Sequence, residues 1–167
     1  MIRSATIGLG LLALVAAAPA SAQAFLPDRT VTATDDAAIL AVIRQAGATA
    51  DVRQTQDGSR FIVIEFSGGQ QAVASFTACN EQGRQCRGLL LRAVWDNPEI
   101  GAEELLRRIN VINASFNTAK LHVRQDGRLV VSRYVINDGG RSMGNLQVEV
   151  AGFGAALENI GQFLYEG

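Results

Sequence analysis

The chain has 167 residues with 15 basic and 16 acidic side chains, which gives a net charge of −1. A near-neutral balance gives no electrostatic reason to expect binding to nucleic acid or to an anionic membrane surface. One histidine and two cysteines are too few to favour a zinc site, and no cofactor is expected. The length fits one domain with a sizeable core.

Residues 1–24 are predicted to be a cleavable signal peptide. Arg3 supplies the positive start, and the uncharged apolar run Ile7–Ala18 precedes two A-x-A cleavage sites. The run is too short to cross a hydrocarbon core of ~30 Å, although a retained anchor or a buried helix is the alternative. Cleavage at one site or the other starts the mature chain at Gln23 or Phe25. We therefore expect a periplasmic or secreted protein with no membrane span in its mature form.

The two cysteines, Cys79 and Cys86, are separated by six residues that include Gly83. In an oxidising compartment such a pair closes as a disulfide across a turn. A ring this short stabilises a fold by roughly 2–3 kcal/mol. Free buried thiols and redox chemistry are the alternatives, but redox pairs usually have C-x-x-C spacing at a helix start. A structural disulfide is the prediction.

Residues 25–34 are predicted to be a flexible lead-in, and residues 35–167 to be one α+β domain. The first helix has Thr34 or Asp35 as its cap and ends at Gly47. Its apolar face recurs at the helical spacing, at Ile39, Val42, Ile43 and Ala46.

Between residues 48 and 96 the pattern favours four strands of an antiparallel meander, separated by Gly-containing turns. The predicted strands are Ala48–Gln54, Ser59–Phe66, Gln71–Cys79 and Arg87–Trp95. Phe61–Ile64 is apolar on both faces, which is typical of a central strand.

A second helix is predicted from Asn97-Pro98 to Asn117, followed by a hairpin and a long C-terminal helix capped by Ser142. The hairpin strands are Ala119–Gln125 and Arg128–Ile136 around Asp126-Gly127. Apolar stripes run along the second helix (Leu105, Ile109, Ile112, Phe116) and the last one (Leu146, Val150, Phe153, Leu157, Ile160, Leu164). The fold class is α+β, with an antiparallel sheet of five to six strands flanked by three helices.

The hairpin carries the first candidate partner surface. With Asp126-Gly127 as a two-residue turn, His122 lies opposite Val131 and Lys120 opposite Arg133. Four basic side chains then share the outward face: Lys120, His122, Arg124 and Arg133. The core side takes Leu121, Val123, Val130 and Tyr134. The basic stripe is either a solvated face or a docking surface for an acidic partner. No Ser or Cys can be placed beside His122, so it is not expected to be a catalytic base.

The last helix carries the second candidate surface, a side of small residues that allows close approach of another backbone. Its members are Ala151, Gly154, Ala155 and Gly161. They serve either close packing on the protein's own sheet or a contact with a partner, including a second copy in a homodimer. On the second helix, Asn110 and Asn113 lie one turn apart, where they bind a neighbouring strand's backbone or a ligand.

Several segments form a recognisable set: Leu89–Asp96 before a helix, Ile109–Asn113 within it, Ala119–Val123 with Asp126-Gly127 in the hairpin, the Gly139-Gly140 break before a long amphipathic helix, and Phe76 with Cys79 in the strand that leads into the cysteine. Together these segments resemble the YbjN family of bacterial proteins. The resemblance covers roughly residues 35–166. It implies a fold like that of type III secretion chaperones, which is used for binding proteins or peptides. Family members are described as sensory-transduction regulators, and no established catalytic residues carry over.

We therefore expect a non-catalytic, exported protein-binding or regulatory module. The absence of a nucleophile–base pair, a metal cluster or a phosphate-binding motif from the sequence favours this interpretation over an enzyme. Two alternatives remain. An inhibitor of an exported hydrolase would insert a rigid loop into an active site, for which Asn80–Gln85 is the candidate. A small-ligand sensor would need an apolar cavity.

Overall fold

The computed structural model describes residues 23–165, so the predicted signal peptide falls outside them except for its last two residues. Along the chain the elements are β1 (Thr30–Val31), α1 (Asp36–Gln45), β2 (Thr49–Gln54), β3 (Arg60–Glu65), β4 (Gln71–Thr77), β5 (Gly88–Trp95), α2 (Ala102–Ser115), β6 (Lys120–Val123), β7 (Leu129–Ile136), β8 (Arg141–Ser142) and α3 (Met143–Tyr165).

Six strands form one antiparallel sheet in the order β2-β3-β4-β5-β7-β6, and β1 pairs with β8 in a separate two-stranded sheet. The meander of β2 to β5 is continuous in space, and β7 joins its end with β6 at the edge. The predicted α+β class with three helices and the sheet of six strands is confirmed.

The two faces of the six-stranded sheet differ. On one face, alternate residues such as Ile62, Leu89 and Val131 are buried together with the apolar stripes of all three helices. The predicted stripe of α3 is buried along its whole length, at Leu146, Val150, Phe153, Leu157, Ile160 and Leu164. On the other face, most side chains stay partly or fully exposed. Because strand side chains alternate, one half of each strand forms the core and the other half forms a surface.

The start of the first helix agrees with the sequence prediction, and the start of the second helix does not. Asp35 caps α1 as predicted, since its Oδ1 accepts a hydrogen bond of 2.8 Å from the Ala38 amide. The second helix begins four residues later than the Asn97-Pro98 signal predicts, after Gly101, and ends at Ser115. The Ile100 amide donates to the carbonyl of Pro98 at 2.7 Å, so a tight turn occupies the expected first turn of the helix.

Residues 25–34, which were predicted to be a flexible lead-in, pair with later parts of the chain in the structure. Thr30 and Val31 pair with Ser142 and Arg141. The side-chain amide of the buried Asn137 donates to the Val31 carbonyl at 3.0 Å. The preceding residues supply carbonyls to the first amides of α3: Arg29 accepts from Met143 and Pro27 from Gly144, both at 2.9 Å. A helix start leaves such amides without intrahelical partners, so the segment completes the last helix.

The disulfide between Cys79 and Cys86 is present, as predicted, and it anchors the lead-in. Thr34 and Cys86 form a β-bridge, in which the amide and the hydroxyl of Thr34 both donate to the Cys86 carbonyl at 2.8 and 2.9 Å. Ala78 and Gln85, each directly before a cysteine, have a φ of 50°, which is unfavourable for residues with a side chain. The disulfide-closed ring therefore contains two residues in a left-handed backbone conformation that is unfavourable in an open chain.

The register of the β6–β7 hairpin differs from the prediction by one residue. The Arg124 amide donates to the Arg128 carbonyl at 2.8 Å, which leaves a three-residue loop in which Gly127 has a φ of 82°. This is the three-residue hairpin loop with a left-handed glycine. Lys120 therefore lies opposite Ser132 and not opposite Arg133. A shift of one residue exchanges the two faces of a strand.

Arg133 consequently lies on the helix side of the sheet, which corrects its assignment to the outward basic stripe. Its guanidinium donates to Glu149 on α3 at 2.7 and 2.9 Å and to the Asn117 carbonyl at 2.9 Å. Arg141 donates to the other Glu149 oxygen at 2.6 Å. Tyr134, which was expected in the core, is exposed on the opposite face. Arg133 is thus a structural tie between β7 and α3.

Replacement of both cysteines, Cys79→Ser with Cys86→Ser, is expected to lower the free energy of unfolding by about 2–3 kcal/mol, because the unfolded chain loses its cross-link. Urea unfolding measures this change, and hydrogen exchange of the Thr34 and Cys86 amides should speed up in the variant. Reductant should bring the wild type to the level of the variant and leave the variant unchanged. A wild type that is insensitive to reductant would contradict the anchoring role.

Glu149→Gln is expected to destabilise the protein by about 1–2 kcal/mol at pH 7, because Arg133 and Arg141 lose their charged acceptor. Burial raises the pKa of Glu149, but the hydrogen bonds from the two guanidiniums outweigh it and hold the pKa below its usual value of 4.5. A lowered pKa stabilises the fold above pH 4.5, and that contribution is lost as the pH falls through the lowered pKa. Urea unfolding from pH 7 to pH 2 measures the difference.

The wild type and the Glu149→Gln variant should therefore have the same free energy of unfolding at the acid end of this pH series. Glu65→Gln is the matched control, since Glu65 is exposed and has no side-chain partner among residues 23–165. A Glu149→Gln variant that stays less stable by the same amount at every pH would show that the carboxylate charge is not responsible.

Candidate binding surface

The face of the six-stranded sheet that points away from the core, here called the open face, carries a run of apolar side chains. Three of them are well exposed, Val94 at 44%, Tyr134 at 49% and Ile136 at 59%. The remaining apolar members are Phe61, Val63, Val73, Leu90 and Val130. Contiguous apolar surface of this kind marks binding sites more often than scattered single residues do.

Two arginines border a shallow pocket in the open face. The pocket has a volume of about 350 Å³ and is lined by Val63, Val73 and Val94 together with Arg92 and Arg124. Arg92 lies in β5 between Val73 and Ser132 of the neighbouring strands. Its side chain has no hydrogen-bond or ion-pair partner among residues 23–165. Arg124 pairs with Asp126 at 3.1 Å. The pocket thus combines apolar walls with guanidinium groups.

Three of the four predicted basic residues lie on this face. Lys120 and His122 are exposed on β6, and Arg124 follows them at the start of the loop. The Lys120 ammonium donates to the Asn113 carbonyl at 3.0 Å, which directs it toward α2. The structure therefore brings Arg124 next to Arg92, a residue that the sequence analysis did not single out, and separates both from Arg133.

Tyr134 is held in place at the other end of the open face. Its hydroxyl lies 3.0 Å from the Thr77 hydroxyl, and the two residues meet above Gly88 on the strand between them. A Cβ atom at Gly88 would collide with both side chains. The absence of a side chain at this position allows the hydroxyl contact, which fixes the orientation of the exposed ring.

The β6 edge of the sheet is closed by Asn113 from α2. Its amide nitrogen donates to the Leu121 carbonyl at 2.9 Å, and its amide oxygen accepts from the Leu121 N–H at 2.8 Å. The predicted bonding of Asn113 to a strand backbone is confirmed, although no such bond is formed by its neighbour Asn110 within residues 23–165. An edge satisfied in this way offers no free backbone groups at Leu121.

The small residues of α3 do not act as one surface. Gly154 is buried, and a Cβ atom there would lie 2.5 Å from the Phe66 ring, which packs edge-to-face on Phe153. Gly154 therefore serves the internal packing and is not available to a partner. Ala151 lines a minor recess beside it, whereas a Cβ atom at Gly161 would meet nothing within 4 Å.

Within residues 23–165, no group of three or more His, Cys, Asp or Glu side chains could hold a metal ion. No helix in that same part of the chain is long and apolar enough to cross a bilayer.

Two glycine substitutions on α3 are expected to have opposite effects. Gly154→Ala should lower stability by about 1–3 kcal/mol, because the buried Phe66 ring must move to admit the methyl group. Gly161→Ala should raise stability by up to about 1 kcal/mol, because alanine favours the helix and the added methyl meets open space. Urea unfolding of both variants measures the difference. Equal effects would contradict the separate roles of the two positions.

Comparison with known proteins identifies a family that matches most of the chain. The family model YbjN, described as "Putative bacterial sensory transduction regulator", matches residues 35–165. No curated protein sequence shows a significant match. Among solved structures, the heterodimeric complex ExoU–SpcU from the type III secretion system of Pseudomonas aeruginosa contains a similar chain. That chain is 14% identical, with a TM-score of 0.47, and the alignment covers 75% of this protein and 97% of that chain. Because the family match spans most of the sequence, the predicted assignment is confirmed, and this protein belongs to the YbjN family.

Proposed function

We propose that this protein is a non-catalytic, exported module that binds a protein partner through the open face. The observation that carries the proposal is the pocket that Arg92 and Arg124 share with three valines. Interfaces between proteins are built around apolar patches with arginine and aromatic residues, and this face presents all three features.

The chemistry of the pocket defines the partner. A guanidinium group without an internal acceptor can bind a carboxylate through two parallel hydrogen bonds, and such charge-assisted bonds are stronger than neutral ones. The valine walls accept an apolar side chain next to that carboxylate. The fitting ligand is therefore a polypeptide segment in which an acidic residue neighbours apolar ones.

The partner is expected to lie across the face of the sheet. At the β6 edge, the backbone groups of Leu121 are already bonded to Asn113. Side-chain contacts across an apolar face are the mode of binding that this surface supports. Tyr134, held by Thr77, offers a rigid aromatic ring whose binding costs little conformational entropy.

Export is part of the proposal and rests on the N-terminal sequence pattern. A disulfide in so small a domain is typical of an oxidising compartment, which agrees with that placement. The intact mass of the protein recovered from an envelope fraction should correspond to a chain that starts at Gln23 or Phe25.

Site-specific photocrosslinking in the native cell envelope tests the binding face. A photoreactive phenylalanine analogue replaces Ile136 on the open face or, as the control, Leu106 on α2, since both positions are similarly exposed at 59% and 57%. We expect a discrete adduct from position 136 only. The combined substitutions Arg92→Glu and Arg124→Glu should reduce its yield at least about tenfold, because two charge-assisted contacts become repulsive.

Arg44→Glu is the matched charge control, because Arg44 is exposed on α1 and has no side-chain partner among residues 23–165. It should leave the adduct unchanged. Circular dichroism should show that all variants remain folded. Adducts of equal yield from both positions, or an adduct that survives the double charge reversal, would overturn the proposal.

A further inference from the structure

We propose that a second site, the cleft between the end of β5 and the last turns of α3, binds an organic cation, a guanidinium or ammonium group on an apolar body. The cleft has a volume of about 690 Å³, within the range of small-molecule sites. Its lining includes Trp95, Asp96, Glu158, Gly161 and Tyr165. This inference goes beyond the proposed function and does not depend on it.

Two aromatic rings form one wall of the cleft. Trp95 and Tyr165 contact each other edge-to-face, with ring centroids 6.2 Å apart and planes at 67°. The Tyr165 hydroxyl donates to the Asp96 carbonyl at 2.6 Å, which fixes the ring against the end of β5. Cations bind the faces of Trp and Tyr rings through the ring quadrupole, most strongly where water is partly excluded.

The charge of the cleft favours a cation. The carboxylates of Asp96 and Glu158 both line it, and neither has a hydrogen-bond or ion-pair partner among residues 23–165. Arg128 also lines the cleft, but its guanidinium is bonded to Asp126 at 2.9 and 3.0 Å. Burial, and secondly the negative charge of Asp96, raises the pKa of Tyr165, so the phenol stays neutral near pH 7.

The cleft is open and its walls are fixed without a ligand. Gly161 leaves room at the helix surface, since a side chain there would project into free space. The last turn of α3 is held by Arg108, which donates to the carbonyls of Phe163 and Leu164 at 3.0 and 3.1 Å. A helix end that is tied to its neighbour positions Tyr165 in advance, which lowers the entropy lost on binding.

The single tryptophan of the chain makes the site directly observable. Agmatine, which carries a guanidinium and an ammonium group on a butyl chain, is the first probe, and the capped tripeptide Gly-Arg-Gly is the second. Either should change the Trp95 fluorescence with saturation, at a Kd on the order of 1 mM or tighter. Saturation by agmatine alone identifies a free small cation as the ligand class, and saturation by the tripeptide identifies an arginine side chain.

Two variants locate the response. Glu158→Gln should weaken binding about tenfold, whereas Glu103→Gln, an exposed glutamate on α2, should not change it. Gly161→Leu fills the cleft and should abolish the response, with Glu158→Gln deciding the outcome if this variant does not fold. The uncharged analogue N-butylacetamide should give no saturation. The proposal is overturned if neither cation changes the fluorescence up to 10 times the expected Kd, or if Glu158→Gln binds as well as the wild type.

Discussion

The three helices found within residues 23–165 bury only one face of the six-stranded sheet, and the rest of the structure depends on that division. The buried face takes alternate residues of every strand, for example Leu89 and Leu91 of β5, and packs them against the helix stripes. The alternate residues of the same strand, Leu90, Arg92 and Val94, point to the open face. An apolar strand in this fold therefore supplies side chains to both the core and the open face. The strand β3 is apolar on both faces for this reason.

The helical stripes and the meander could be predicted because their signals are local. A buried stripe repeats every three or four residues along one helix, and a hairpin strand lies beside the strand that precedes it. The lead-in could not be predicted in this way, since its partners Asn137 and Met143 lie more than 100 residues further along the chain. The predicted register of the last hairpin was wrong for another reason. Asp126-Gly127 fits both a two-residue and a three-residue loop, and the two loops give registers that differ by one residue.

This one-residue difference in loop length determines which basic side chains belong to the candidate site. With the observed loop, Arg133 turns inward to Glu149, while Lys120, His122 and Arg124 remain outside as predicted. Arg92 was missed because it stands in an apolar run, where its neighbours Leu91 and Ala93 are core residues. Strict alternation within β5 would have placed it on the outer face. Its proximity to Arg124 could not be predicted from any local pattern, because Arg92 lies in β5 and Arg124 follows β6, and these two strands are separated by β7 in the sheet.

The β6–β7 loop also connects the open-face pocket with the cleft at α3. Asp126 pairs with Arg124, which lines the pocket, and with Arg128, which lines the cleft, at 3.1 and 2.9 Å. Val94 contributes to the walls of both. One hairpin loop therefore places a guanidinium in the lining of each site and holds both against the same carboxylate. The position of this loop depends on the three-residue turn that also sets the register of β6 and β7, so the turn determines which arginines reach the two sites.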